Sequence, residues 1–386
     1  MPIHSRLAAL VPACAALLAA APARAQSAPD SGAFVTRIGN DTLAVERYVR
    51  TPTQLRGKLV VRSPRTAYRE YTAALRPDGS ISRMEVAFGP SGGPPAQTAV
   101  FDLRADSTIA TLHRGDSTTV FRVGTPHTSS PFLSLSYVLW EQALLNARAT
   151  HRDSVQLDMV ALGAPQPIPF TFSRHGGAVT VLSGAGPAHA RVDGRGRVVS
   201  VDGTGSTQQF LVQRVAGFDV DAFAAASAAH DQQGAALGVL SPRDTVRAEV
   251  GGAHLLVDYG RPGKRGRAIF GGVVPWGQVW RTGANAATVF TTDRDLTIGG
   301  AAVPAGSYTL WTLPTAEGWK LIVNKQTGQW GTEYDAGKDL VRVDMVRGPV
   351  SPAVERFTIA VEPQGAGGVM AFAWDGTRVT VPVAVR

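Results

Sequence analysis

"REYTAALRPDGSISRMEVAF", residues 69–88, holds two short apolar-rich runs on either side of Arg76-Pro77-Asp78-Gly79. Proline presets one turn torsion, aspartate bonds the backbone of its own turn, and glycine accepts a left-handed conformation, so the stretch reads as an antiparallel hairpin. The pattern recurs on both sides. "FVTRI" and "TLAVERYV" flank Gly39-Asn40-Asp41, and further pairs flank Arg104-Ala105-Asp106 and Arg114-Gly115-Asp116. The first half of the chain is therefore expected to be a meander of antiparallel strands.

One segment departs from that period. "SSPFLSLSYVLWEQALLNARAT" offers a cap at Ser130, Pro131 in a first turn, and Leu135, Leu139, Leu144 and Leu145 at near-helical spacing, which predicts a helix over 131–148. Strands resume with "PFTFS", "AVTVL", "AHARVDGRGRVVSVDG" and "QQFLVQRV". A helix set into a long meander predicts a curved sheet wrapped around it, with a concave face that forms either core or an apolar ligand site. Residues 217–240 turn alanine-rich. Asp219 or Asp221 is placed to cap a short helix through Ala229, and "DQQGAALG" forms a flexible exit, so the expected organisation is a unit at 26–216, a linker at 217–240 and a second unit at 241–386.

The second unit lacks any clear helix longer than about ten residues. It turns at Gly251-Gly252 and Asp375-Gly376, with strands between, and an antiparallel β-sandwich of jelly-roll type is expected. Its blocks "YGRP", "VPWGQVWRTGANAAT", "VPAGSYTL", "NKQTGQWG" and "FAWDGTRVTVPV" occur in an order that resembles the bacterial family called domain of unknown function 2911, over about residues 240–386. That resemblance implies an exported β-protein. It supplies no reaction, cofactor or catalytic residue.

Composition agrees with folding. The 386 residues are 44% hydrophobic and 18% charged, and 42 glycines with 25 prolines suit many turns. "MPIHSR", the apolar run that follows it and "ARA" before Gln26 read as an export signal over 1–25. Cys14 inside that run faintly resembles a lipidation box, but the apolar run continues past it. Because Cys14 is the sole cysteine, a mature chain would hold no disulfide, thiolate site or cysteine nucleophile. The net charge of +8 falls to +6 without Arg6 and Arg24 and divides evenly between the two units, with one denser basic group at Gly260–Arg267, a balance that permits weak attraction to anionic envelope polymers. The export signal argues against a nucleic-acid partner, and no window after it reaches the roughly 20 apolar residues of a membrane span. A periplasmic or extracellular location follows.

Catalytic signatures are sparse. No His-x-His, His-Glu-x-x-His, Gly-x-Ser-x-Gly or phosphate-loop pattern occurs, and no cofactor or metal is expected. The pairs Asp293 with Asp295, and Glu333 with Asp335, are close enough for calcium binding or acid–base work, but aspartate favours turns on its own account. His254 reads first as a structural strand residue. The stretch "IFGGVVPWGQVWRTGANAATVF", residues 269–290, is the strongest candidate surface. Trp276 and Trp280 offer stacking faces, Arg281 offers a planar fork for an anion, and Asn285 sits in the loop beside them. Arg261, Lys264, Arg265, Trp330 and Tyr334 would join them if the loops converge. The competing reading makes the tryptophans core plugs and the loop a stiff corner. The functional expectation is a non-catalytic binding or interaction module for a glycan or another anionic envelope component. The alternatives are a carrier of lipid or another apolar ligand in the first unit, and a glycan hydrolase using carboxylates of the second.

Overall fold

The computed structural model describes residues 29–90 and 93–386. The expected export signal and Cys14 lie outside the described residues. The hairpin at residues 69–88 forms as read: Ala67–Leu75 pairs antiparallel with Ile81–Gly89, from Tyr68 opposite Gly89 to Leu75 opposite Ile81. Its turn is fixed locally. Gly79 takes φ 81, its N–H bonds the Arg76 carbonyl, and Asp78 Oδ1 accepts from the Ser80 amide and hydroxyl.

Repetition of such hairpins builds a sheet of 15 strands. One arm runs outward from Asp30–Ile38 to Ser117–Gly124, and the other from Leu211–Val215 to Ser154–Val160. Asp30–Ile38 pairs with Leu211–Val215 and joins the arms. Thr128–Pro131 lies parallel to Ser154–Val160, because the chain reaches the latter by a helical crossover. This strand and Ser117–Gly124 form the two edges, so the sheet curls without closing into a barrel.

That crossover is helix α1, Tyr137–Ala149. It begins six residues later than the spacing predicts. Ser130 and Pro131 belong to the strand Thr128–Pro131, the Phe132 amide bonds the Val160 carbonyl, and Leu135 takes φ 67, so helical torsions cannot begin before Ser136. The helix cap comes from across the sheet. Glu46 accepts hydrogen bonds from the Tyr137 and Val138 amides, the Ser136 hydroxyl and the Tyr71 hydroxyl. A second buried cluster holds the middle of α1, where Glu141 pairs with Arg50 and Arg214 and accepts from the Val198 amide. Phe34, Leu59, Phe101, Leu139, Phe172 and Val201 belong to the core that α1 completes.

The alanine-rich segment carries a second helix, α2, Val220–Gln232, capped by Asp219 through the Ala222 amide. Val220 and Ala224 pack on Val35, Val45 and Val60 of the first sheet, and Asp221 bonds Lys58 and Tyr68. Only 233–242 then remains without helix or strand before the second sheet.

The second sheet has nine strands. Its long hairpin, Asp339–Gln364 with Gly367–Val385, carries the chain between two ladders: Asp339–Met345 pairs with Trp319–Asn324, and the remainder pairs with Gly367–Val385, which also binds Leu296–Ile298. Side chains of both ladders, including Val257, Phe290, Leu321, Phe372 and Val381, meet in one core. That arrangement is the two-layer antiparallel architecture expected for this half. Among the described residues no helix is long and apolar enough to cross a membrane.

Candidate functional site

The segment between Ala253–Gly260 and Thr288–Thr292 forms no ladder of its own. It is held by isolated bridges: the Trp280 amide and carbonyl exchange hydrogen bonds with Thr312, and Ala286 bridges to Trp330. The Gly331 amide also donates to the Asn285 carbonyl at 2.9 Å. The 269–290 stretch and the loop around Trp330 therefore meet.

They meet over a cavity of ≈ 770 Å³ that lies between the two sheets. On the second sheet's side its wall includes Trp280, Arg281, Asn285, Trp330 and Glu333. The first sheet contributes Leu43, Phe132, Leu135, Ile168, Phe170 and Phe210. This volume falls within the roughly 300–1,000 Å³ typical of small-molecule sites. By contrast, the space inside the first sheet is filled by α1 and its aromatic neighbours, and the smaller cavities there measure ≈ 30 and ≈ 10 Å³.

Of the nine residues named from sequence for this surface, Trp280, Arg281, Asn285, Trp330 and Arg265 line the cavity. Trp280 is only 8% exposed and stacks on Trp374 at 5.8 Å between centroids, so it is a core plug that shows the cavity one edge. Trp330 is 41% exposed. Asn285 sits in the left-handed region at φ 64, which asparagine tolerates better than most residues.

Trp276, Arg261, Tyr334 and Lys264 lie outside the cavity lining. Trp276 packs on Phe270 and Trp319, beneath the Arg347 guanidinium, outside the cavity lining. Arg261 is tied to Asp244 at 2.9 Å, to Thr358 and to the Phe357 carbonyl. Tyr334 packs tilted against Trp311 and donates to Asp339. Each of these three also has a partner distant in sequence: Trp319 for Trp276, Thr358 for Arg261 and Trp311 for Tyr334.

Arg281 differs from the other arginines of the cavity. Its aliphatic stem crosses Gly331, where any Cβ would overlap Arg281 Cδ and the Asn285 carbonyl oxygen. Like that of Arg265, its Nε is buried without a hydrogen-bond partner among the described residues. Burial pulls its guanidinium down to about 10, and no ion pair with a described carboxylate opposes the shift. Arg265, in contrast, pairs with Asp41 at 2.6 Å, and Arg267 donates to the carbonyls of Lys264 and Gly263. Lys264 is engaged with Asp375.

The paired carboxylates serve turns. Asp293 accepts from the His254 amide and ring, Asp295 from the Ala305 amide, Asp335 from the Gly337 amide, and Glu333 from the Trp330 amide. Among the described residues no group of three or more His, Cys, Asp or Glu side chains is placed to share a metal ion.

Residues 241–383 match the family model described as "Protein of unknown function (DUF2911)", so the resemblance read from the sequence holds over that segment. The match does not reach the first sheet. No curated protein is significantly similar to the chain. Among solved structures, a DUF1089 family protein from Pseudomonas aeruginosa aligns with 12% identity and a TM-score of 0.30, over 42% of this chain and 90% of that one. A likeness that loose carries no argument about fold or function.

Proposed function

We propose that the protein is a non-catalytic ligand-binding module of the bacterial cell envelope, and that its ligand occupies the cavity between the two sheets. The observation that carries this reading is Arg281, a largely buried cation with no counter-ion among the described residues, set in the wall of a cavity large enough for a small molecule. An unpaired buried charge destabilises a fold, and its retention makes sense where an anionic group completes the pair. The Trp/Arg loop expected to bind an anionic envelope component thus contributes one wall, and the apolar side chains of the first sheet contribute the other.

The test is native mass spectrometry of the protein purified from its own envelope. A small molecule retained by the wild type and lost from Gly184→Trp supports the reading. Gly184 is an exposed turn residue that lines the cavity, and a Cβ there meets nothing within 4 Å, so an indole can be added at the cavity wall without forcing the backbone aside. Retention of the same molecule by Gly184→Trp would place the ligand elsewhere and overturn the proposal.

A further inference from the structure

The cavity is divided by chemistry as well as by element. Its first-half wall sets an apolar patch of Leu43, Phe132, Ile168, Phe170 and Phe210 beside polar side chains that include Ser183, Thr207, Gln208 and Gln209, while Arg281 stands on the second-sheet side. A saccharide laid on that apolar patch would leave hydroxyls unpaired at a cost, whereas an alkyl chain would not. An amphiphile fits better, with its chain on the first wall and its head on the second.

The charge of the head follows from what the arginines are already doing. Arg265 is neutralised by Asp41, whereas Arg267 donates to two neutral backbone carbonyls and keeps its charge. Arg267 and Arg281 thus bring two positive charges to the cavity and Glu333 one negative charge, which leaves a single positive charge to match. A head group carrying two charges would be half-compensated and repelled by Glu333, whereas a carboxylate accepts the guanidinium fork with its single charge satisfied. Resting on the binding role proposed above, we infer that the ligand is a long-chain monocarboxylate, its carboxylate paired with Arg281 and its chain lying along Phe132, Ile168 and Phe170.

Calorimetric titration of the full chain with dodecanoate, 1-dodecanol and dodecyl phosphate at pH 8 tests this. Dodecanoate is expected to bind at one molecule per chain and about 10- to 100-fold more tightly than dodecanol, the range for a charge-assisted hydrogen-bonded pair. Dodecyl phosphate, largely dianionic at that pH, is expected to bind more weakly than dodecanoate. Arg281→Gln should bring dodecanoate down to the dodecanol level without weakening dodecanol. Arg281→Lys, which keeps the charge, should preserve the preference for the carboxylate over the alcohol. Equal binding of carboxylate and alcohol by the wild type, an Arg281→Gln variant with unchanged dodecanoate affinity, or tighter binding of the phosphate would each overturn the inference. If native mass spectrometry shows a different molecule displaced by Gly184→Trp while dodecanoate does not bind, the monocarboxylate fails and the binding role stands. An envelope-purified protein that is empty and binds none of the three compounds defeats both.

Discussion

At the scale of single residues, the proposed role of Arg281 trades stability for recognition. Replacing it with methionine removes a poorly solvated cation and keeps the stem's packing, so the empty protein is expected to gain on the order of 1–3 kcal/mol in urea unfolding. A loss would mean that the guanidinium has a stabilising partner. Gly331→Ala acts in the opposite direction, because its methyl group overlaps Arg281 and the Asn285 carbonyl. That variant is expected to lose about 1–3 kcal/mol, the usual effect of overpacking, and to bind ligand less tightly. The Trp/Arg loop was legible in sequence because its glycines and aromatic residues are contiguous. What the sequence could not separate was Arg281 from Arg261: both are arginines in glycine-rich loops, and only the remote Asp244 and Thr358 reveal that one is already engaged. The wall formed by Phe132, Ile168 and Phe170 was missed altogether, since these residues read as ordinary strand or helix positions until a second sheet faces them.

At the scale of one element, α1 depends on a carboxylate that lies 90 residues before its cap. Burial pushes Glu46 up to about 7 from an ordinary 4.5, against four donated hydrogen bonds that pull it down. A carboxyl whose folded value is raised contributes stability below its unfolded value, and that contribution disappears as pH climbs through the folded value. Wild-type stability relative to Glu46→Gln is therefore expected to fall between pH 4.5 and 7, by up to about 3 kcal/mol for a shift of this size. Denaturant midpoints of the two proteins across that range give the difference directly, and a difference that does not change with pH would contradict it. The same carboxylate explains the misplaced helix start. Local spacing favoured Ser130, whereas the N–H groups that open the helix are satisfied from another strand, through a contact that carries no local sequence signal.

At the scale of the whole molecule, the meander was readable because alternation and turn residues are local, while the placement of one sheet against the other was not. That placement rests on a small contact. The Asn40 amide donates to the Arg265 carbonyl, the Arg265 guanidinium bonds Asp41 and the Leu237 carbonyl, and Gly39 and Gly266 leave no room for a Cβ. Gly266→Val should break it, through strain at φ 73 and overlap with Asn40. Faster proteolysis within 233–242, with each sheet's hydrogen-exchange protection preserved, is the expected result. Concerted loss of protection in both sheets would argue against separable halves. Their cores share no residue, one spanning Phe34 to Val212 and the other Val250 to Val383, so a fragment of residues 241–386 is expected to unfold cooperatively on its own.

On the proposed reading, the irregular stretch 233–242 also bears on how strongly a ligand is held. It joins the two sheets that supply most of the cavity wall and itself contributes Val239, Leu240 and Ser241, so closing the site is an intramolecular event, with an effective concentration in the millimolar range for a short tether. Severing it within 233–238, ahead of those lining residues, would turn one encounter into two and dilute the second wall to whatever concentration its fragment happens to have.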